Sequence, residues 1–124
     1  MNIEGFELRR VAMPLVSPFR TSFGTQTERD ILLVKAVTGD AEGWGECVTL
    51  PDPIYSPEYT EGAVDVMKRF FIPALAGVRD ANGVGEALKH FKGHRMSKAA
   101  LEMAVLDAEL RAEGRSFARE LGGV

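Results

Sequence analysis

Two histidines lie four residues apart in the second half of the sequence, and a glutamate precedes them by one helical turn (Glu86, His90 and His94). On an unbroken helix this spacing could bring two imidazoles to one metal ion. Gly93 stands between the histidines and is expected to break the helix, and no third ligand is close in sequence. We therefore interpret both histidines as surface residues, and the sequence predicts no metal ligand in this chain.

The candidate nucleophiles and the one suggestive acid stand apart from one another. Nucleophilic catalysis needs a base beside the nucleophile and a group that orients that base, and Ser22 and Cys47 have neither nearby in sequence. Glu46 ends the motif Gly43-Trp44-Gly45-Glu46, which lacks the lysine and the following helix of a phosphate-binding loop. Its glycines are better explained by a strand that another backbone approaches closely. The sequence predicts no catalytic residue in this chain.

The composition limits the classes of protein to which this chain can belong. Its 124 residues suffice for one domain, and 45% apolar with 27% charged residues is ordinary for a globular protein. A net charge of −3 with scattered cations argues against nucleic-acid binding. No apolar run approaches the roughly 18 residues that a membrane span needs. One cysteine permits no intrachain disulfide, and a reducing, cytoplasmic setting fits best.

The elements that must position these residues begin with strands. Alternating apolar residues over 6–15 predict a first strand, with a bulge where the alternation slips at residues 9–10. A leucine-rich and β-branched run over 31–37 predicts a second strand. A turn at 38–41 then leads into a third strand over 42–49. These runs predict a three-stranded antiparallel meander.

Two predicted loops leave this meander where they could converge on one edge. The first spans residues 17–27, is interrupted by Pro18 and Gly24, and follows neither a helical nor a strand period. The second spans residues 50–55 and follows the third strand. Both loops carry large apolar side chains, which are unusual in segments that only connect elements.

The second half predicts helices. Ser56-Pro57 is a start signal for the first, because a hydroxyl cap precedes a proline at the first helical position. Apolar residues then recur at spacings of three and four: Tyr59, Ala63, Val66, Met67, Phe70 and Ala74. A shorter helix is predicted over 83–91. The predicted fold class is α+β, a three-stranded antiparallel meander followed by a bundle of three to four helices.

The third predicted helix, residues 96–112, is apolar around most of its circumference. A helix on the surface of a small domain needs only an apolar stripe, so this helix is expected to be buried on two sides and to need a second partner. The alternative is that its alanines only raise helix propensity. The tail, residues 117–124, carries paired glycines and resembles a junction that leads into another element.

Three parts of the sequence together resemble the N-terminal region of the enolase superfamily. They are the run Met13 to Gly24, the strand Gly43 to Cys47, and the helix Ala99 to Ala108 followed by Leu121-Gly122-Gly123. The resemblance covers essentially the whole chain, residues 1–124, as one capping domain. The strand and the helix are shared widely in the superfamily. The segment 18–24 narrows the resemblance to the o-succinylbenzoate synthase / N-succinylamino acid racemase (N-acylamino acid racemase) group.

That resemblance implies an α+β cap followed by a (β/α) barrel. Two barrel lysines would act as acid and base on the α-carbon of a small carboxylate substrate. Three barrel acids would hold the Mg²⁺ that stabilises the enediolate. The reaction would be either the dehydration that forms o-succinylbenzoate in menaquinone biosynthesis or the racemisation of an N-acylamino acid. Enzymes of this group are often assemblies of identical subunits.

The resemblance also implies that the cap sets substrate preference with its two loops, 17–27 and 50–55. The apolar side chains of these loops would face the substrate and exclude water from the site. The arginine of the first loop would reach an anionic succinyl group through a two-pronged contact. The substrate-binding residues expected on this basis are Phe19, Arg20, Phe23, Leu50 and Tyr55.

The sequence departs from the group in one respect, because a barrel needs roughly 250 residues and the sequence has 124. The lysines and magnesium ligands would belong to that barrel, which would be the main partner of the cap. The 124-residue chain alone is not expected to bind Mg²⁺ or to be active. The alternative is a stand-alone binding or interaction module that retains the cap fold. An unrelated small enzyme would need a catalytic constellation that the sequence does not show.

Overall fold

The computed structural model describes residues 1–123, and its first half is a three-stranded antiparallel sheet. The strand order is β1-β2-β3, with β1 spanning Ile3–Thr21, β2 Gly24–Thr38 and β3 Glu42–Cys47. Helices fill the second half, so the fold is α+β and the predicted meander is confirmed. The turn between β2 and β3 is closed by Thr38, whose amide and hydroxyl both donate to the Ala41 carbonyl (3.0 and 2.6 Å).

The alternation slip at residues 9–10 is not a bulge, so that prediction is wrong. Arg10 pairs with Leu32 in regular register and shares the inner face of the sheet with it. Its guanidinium is satisfied there by ion pairs with Asp30 and Glu61. A charged residue on the inner face interrupts the apolar alternation without adding a residue to the strand. The register shifts elsewhere, between residues 3 and 5 and between residues 14 and 19.

Residues 17–27 were predicted as a loop, and this is wrong, because they form the two strands of a hairpin tip. β1 continues to Thr21 and β2 begins at Gly24, so only Ser22 and Phe23 form the turn. The hydroxyl of Thr21 accepts from the Phe23 amide (3.1 Å) and donates to the Gly24 carbonyl (3.3 Å). Most side chains of the tip are exposed whichever face they occupy. A strand with two exposed faces gives no apolar alternation in the sequence.

The helical half contains α-helices, numbered here α1 to α5, and one wider π turn. Their bounds are Thr60–Val66 for α1, Met67–Phe71 for the π turn, Ile72–Ala74 for α2, Ala81–Leu88 for α3, Arg95–Glu113 for α4 and Phe117–Glu120 for α5. The predicted helical bundle is therefore confirmed. Helix α3 begins two residues before its predicted start, because Asp80 is its N-cap and accepts from the Gly83 amide at 2.7 Å.

The predicted start of the first helix at Ser56-Pro57 is wrong, since α1 begins at Thr60. The Ser56 hydroxyl accepts from the Glu58 amide (3.2 Å) and so closes a local turn. The predicted apolar face also fails at Phe70, which is 45% exposed, whereas Phe71 is fully buried. The π turn contains more residues per turn than an α-helix, which rotates the residues that follow.

Helix α4 is buried on two sides, as predicted, but both partners lie within residues 1–123. On one side its backbone packs so closely on β3 that a Cβ atom at Gly45 would overlap the Ala100 carbonyl oxygen. On the other side Leu101 and Val105 share the core with side chains of α3 and of the π turn. These contacts account for the two buried sides within the domain, and the expectation of a further partner beyond the domain stays a prediction. Met103, at 46%, is the most exposed of its large apolar side chains among the described residues.

Candidate functional site

The hairpin tip and the loop that follows β3 enclose a groove of about 450 Å³. Phe19 and Phe23 contribute the wall on the side of the tip, and Leu50, Ile54 and Tyr55 contribute the opposite wall. Phe23 and Tyr55 contact each other edge to face, with 6.0 Å between their ring centroids. The two segments that the sequence singled out therefore converge on one edge of the sheet.

The walls of this groove are apolar but exposed. The side chains of Phe19, Phe23, Ile54 and Tyr55 are each more than half exposed. Large apolar side chains clustered on a surface mark places where a protein binds a ligand or another protein surface. The groove is therefore the candidate functional site of this chain.

Four of the five predicted site residues line the groove, and Arg20 does not. Arg20 lies in β1 between Phe19 and Thr21, both of which line the groove, and it pairs with Thr25 of β2. Successive side chains of a strand point to opposite faces. Arg20 is therefore on the far face of the hairpin tip.

A second hollow of about 520 Å³ adjoins the groove and shares Phe19, Gln26 and Leu50 with it. Arg29 lines this hollow and forms an ion pair with Glu46 of β3 (3.4 Å). Sequence reasoning missed Gln26 and Arg29, because only the register of β1 with β2 brings them to this place. It also missed Ile54, although this residue lies in a segment whose apolar content had been noted.

The groove offers a binding surface without the groups for proton transfer. Among the described residues that line it, Asp52 is the only carboxylate, and no histidine, cysteine, lysine or arginine joins it. A general acid or base must lie within hydrogen-bonding reach of the atom it serves, usually with a partner that tunes its pKa. The arrangement can hold and shield the apolar part of a small molecule, and it presents no paired acid and base.

An ion-pair cluster joins the sheet to the start of α1. The guanidinium of Arg10 binds both carboxylate oxygens of Asp30 (2.9 Å each) and one oxygen of Glu61 (2.9 Å). The hydrogen bonds from Arg10 lower the pKa of Asp30, and those to Asp30 raise the pKa of Arg10. Asp30 and Arg10 are thus charged near neutral pH, and the three side chains tie β1, β2 and α1 together.

The isolated chemical candidates of the sequence remain separated in the fold. Cys47 is buried, which raises the pKa of its thiol and keeps it protonated. Ser22 is exposed in the hairpin turn, far from any base in sequence. Helix α3 ends at Leu88, before His90, while His94 is the left-handed N-cap of α4, so the two histidines do not share a helix.

Residues 1–123 are the part of the chain that the structure describes. No group of three or more histidine, cysteine, aspartate or glutamate side chains there is placed to hold a metal ion. No helix in that part of the chain combines the length and the apolar character needed to cross a membrane.

Known proteins match this chain along nearly its whole length. The sequence pattern of the mandelate racemase / muconate lactonizing enzyme N-terminal domain matches residues 5–122. The chain belongs to this family. The mandelate racemase / muconate lactonizing enzyme N-terminal domain is found in the enolase superfamily, so the resemblance inferred from the sequence is confirmed.

Relatives of this family carry both names that the sequence suggested. The chain is 62% identical over 126 residues to an N-succinylamino acid racemase of Amycolatopsis sp., covering 100% of the chain and 34% of the racemase. It is 39% identical to an o-succinylbenzoate synthase of Bacillus subtilis, covering 99% of the chain and 34% of the synthase. The chain therefore spans about a third of the length of the curated relatives that it matches.

Solved structures of the superfamily show the same domain. A member of the enolase superfamily from Listeria innocua superposes with a TM-score of 0.92 at 30% identity, covering 100% of this chain and 34% of that one. A muconate lactonizing enzyme from Pseudomonas fluorescens superposes with a TM-score of 0.86 at 28% identity, covering 98% and 34%. The three-stranded sheet with its helices is thus the N-terminal domain fold of this family.

Proposed function

We propose that residues 1–124 form the substrate-capping and specificity domain of an enzyme of the o-succinylbenzoate synthase / N-succinylamino acid racemase group. The observation that carries the proposal is the groove between the hairpin tip and loop 50–55. It is walled by exposed apolar side chains and lacks a paired acid and base, as expected of a domain that shapes a site and leaves the chemistry to another. The identities of 62% and 39% to the two kinds of enzyme support the same proposal.

Within such an enzyme, Phe19, Phe23, Leu50 and Tyr55 would close over a small carboxylate substrate. Their part is to exclude water, because charges interact more strongly when solvent is removed from around them. Arg20 remains the proposed partner of an anionic succinyl group. It lies on the far face of the tip, so Arg29, which lines the adjoining hollow, is a second candidate for that contact.

Within residues 1–123, no group of acidic side chains is placed to hold Mg²⁺. Asp30 is bound to Arg10, Glu58 accepts from the first amides of α4, and Asp107 accepts from the Trp44 amide. The Mg²⁺ ligands and the acid–base lysines of the proposed enzyme therefore belong to a barrel domain outside this chain. That barrel is the proposed partner of the cap. The proposed enzyme is an assembly of several identical subunits. Its proposed location is the cytoplasm, because a chain with a single cysteine suits a reducing compartment.

Dehydration and racemisation share their first step, removal of a proton next to a carboxylate, so one site design serves both. The relatives divide between the two names. The proposed substrate class, common to both reactions, is a succinylated or otherwise N-acylated carboxylate. The enzyme should therefore be assayed for both activities.

The test is to express the reading frame continued beyond residue 124 and to assay the product with Mg²⁺. The proposal expects formation of o-succinylbenzoate, racemisation of an N-succinylamino acid, or both. The 124-residue chain, assayed in parallel as the matched control, is expected to show neither. A longer product that folds, binds Mg²⁺ and performs neither reaction would overturn the proposal.

A stand-alone binding module is the second candidate, and one observation favours it. Most apolar residues of α4 are buried within residues 1–123, so much of the apolar character of this helix is explained without a barrel. This candidate expects the 124-residue chain to bind an N-succinylamino acid by itself, which titration by NMR would detect as shifts of the Phe19, Phe23 and Tyr55 signals. The capping-domain proposal expects no saturable shift.

A further inference from the structure

Loop 50–55 forms one wall of the groove, and its first residue accepts a hydrogen bond from the buried hydroxyl of Thr60. The Leu50 carbonyl oxygen accepts two hydrogen bonds from Thr60, one from its amide (2.9 Å) and one from its hydroxyl (3.1 Å). Leu50 also forms a parallel bridge with Tyr59. The side chain of Thr60 is fully buried, although it lies at the first residue of α1. The first residue of the wall is therefore attached directly to the first turn of a helix.

The direction of these hydrogen bonds follows from the number of available protons. A threonine hydroxyl carries one proton, and when that of Thr60 is given to the Leu50 carbonyl it is not available to the Asp30 carboxylate, the other acceptor beside it. The Thr49 hydroxyl, 3.0 Å from that of Thr60, must then be the donor of their shared bond. A one-way chain runs from Thr49 through Thr60 to Leu50, and both hydroxyls are buried. Removing the middle hydroxyl would leave a buried donor at one end and weaken the attachment of the loop at the other.

The far end of the same segment is held by Glu58. Its carboxylate accepts from the Met96 amide (2.9 Å) and from the amide and hydroxyl of Ser97 (3.0 Å each). These are free amides of the first turn of α4, where a negative charge is also favoured by the helix dipole. The segment that contains loop 50–55 is thus held at two places. Thr60 anchors it to α1, and Glu58 anchors it to the first turn of α4.

The anchor on α1 is itself fixed to the sheet. Arg10 of β1 binds Glu61, the residue after Thr60, and Asp30 of β2. The helix turn that carries Thr60 therefore cannot move without disturbing ion pairs to both strands. The sheet therefore fixes the position of this turn, and the turn fixes the position of Leu50 in the groove wall.

We propose that Thr60 is a positioning residue for the substrate wall, which it holds through the Leu50 carbonyl without touching the substrate. The inference rests on the proposed function for its meaning in catalysis. Its structural content is a wall held at the Leu50 carbonyl by the amide and the buried hydroxyl of Thr60, with Glu58 as the second anchor, and it stands on the hydrogen bonds alone. Two separate measurements therefore distinguish failure of the inference from failure of the proposed function.

The first measurement is ¹⁵N relaxation on the 124-residue chain carrying Thr60→Val or Thr60→Ser. In the unaltered chain and in Thr60→Ser, the amides of Ile54 and Tyr55 are expected to show order parameters near the rigid value of about 0.85. In Thr60→Val they are expected to fall towards about 0.6 or below. Glu58→Gln, which weakens the second anchor, is expected to lower the same two values if Thr60→Val does not fold.

The matched control is Thr38→Val, which removes another buried hydroxyl that closes a turn between β2 and β3. It is expected to lower the unfolding midpoint while leaving the order parameters of Ile54 and Tyr55 unchanged. The inference is overturned if Thr60→Val and Glu58→Gln leave these amides rigid, or if Thr38→Val loosens them equally.

The second measurement is steady-state kinetics of the longer enzyme carrying the same substitutions. A displaced wall is expected to raise KM about tenfold in Thr60→Val with a smaller change in kcat, and Thr60→Ser is expected to restore KM. Loosened amides with unaltered kinetics would uphold the anchor and contradict the proposed role of the loop in substrate binding. Rigid amides with unaltered kinetics would contradict the anchor itself.

Discussion

Phe23 at the hairpin tip and Tyr55 in the following loop meet edge to face, with ring centroids 6.0 Å apart and ring planes at 86°. The two residues belong to segments that approach each other only in the folded chain. Their contact joins the two walls of the groove, so the position of one wall depends on the other.

The first prediction concerns this contact. In the 124-residue chain, Phe23→Ala and Tyr55→Ala are expected to be non-additive in the free energy of unfolding, measured by urea denaturation. Edge-to-face pairs contribute about 0.5–1.5 kcal/mol beyond simple burial, and the exposure of both rings places the expected coupling near the lower value, about 0.5 kcal/mol.

The control cycle combines Phe23→Ala with Phe117→Ala, an exposed phenylalanine of α5 that does not line the groove. Its two changes are expected to be additive. Additivity of the Phe23 and Tyr55 changes as well would show that the two walls do not support each other.

The second prediction concerns the contact between β3 and α4. Gly45→Ala is expected to destabilise the chain by about 3 kcal/mol or more, because the new methyl group would overlap the backbone of Ala100 and Ala104 rather than a side chain that can turn away. Thermal or urea unfolding followed by circular dichroism measures this loss.

Gly85→Ala is the matched control, since nothing lies within 4 Å of a Cβ atom at this position in α3. It is expected to stabilise the chain by about 0.5–1 kcal/mol, because alanine favours a helix over glycine. Equal effects of the two substitutions would contradict the close packing of sheet and helix.

The third prediction concerns the pH dependence of stability through Asp30. Because Arg10 lowers the pKa of Asp30 in the folded chain, the folded state binds that proton less tightly than the unfolded state does. The ion pair therefore stabilises the fold above the unfolded pKa of about 3.9, and this stabilisation is lost as the pH falls below that value and through the lowered pKa of the folded state. Asp30→Asn is expected to lower stability at pH 7 and to flatten its decline between about pH 5 and pH 3.

Asp65→Asn provides the comparison, because Asp65 pairs with Arg69 on an exposed helix surface where an ion pair contributes little. It is expected to leave both the stability at pH 7 and its acid dependence almost unchanged. An Asp30→Asn variant with the same acid profile as the unaltered chain would contradict the lowered pKa.

Much of the fold could be predicted from the spacing of apolar residues, because an element buried on one face carries apolar residues at regular intervals. The run 31–37 and the helix around Leu101 are examples, since both face the core. The interpretation failed where burial did not set the pattern. Arg10 sits on the inner face because ion pairs satisfy it, and the hairpin tip has no buried face.

The π turn is a third case, and it shows a limit of helical periodicity. Spacings of three and four place Phe70 on the inner face, yet Phe71 is the buried residue. The apolar spacing did not reveal the extra residue of this turn, because Phe70 and Phe71 are both apolar and a regular helix assigns the inner face to Phe70.

The site was accessible to sequence reasoning only in part. Phe19, Phe23, Leu50 and Tyr55 drew attention as large apolar residues in segments expected to be exposed. Arg29 and Gln26 could not be found in this way, because their place beside the groove is set by the pairing of β1 with β2.

The central claim is that the groove walls form part of a substrate site, and kinetics of the longer enzyme test it most directly. Phe19→Ala and Phe23→Ala are each expected to lower kcat/KM about tenfold, equivalent to ~1.4 kcal/mol of lost transition-state binding. Phe70→Ala, an exposed phenylalanine outside the groove, is the control and is expected to leave kcat/KM unchanged. Unchanged kcat/KM in both groove variants would contradict the account.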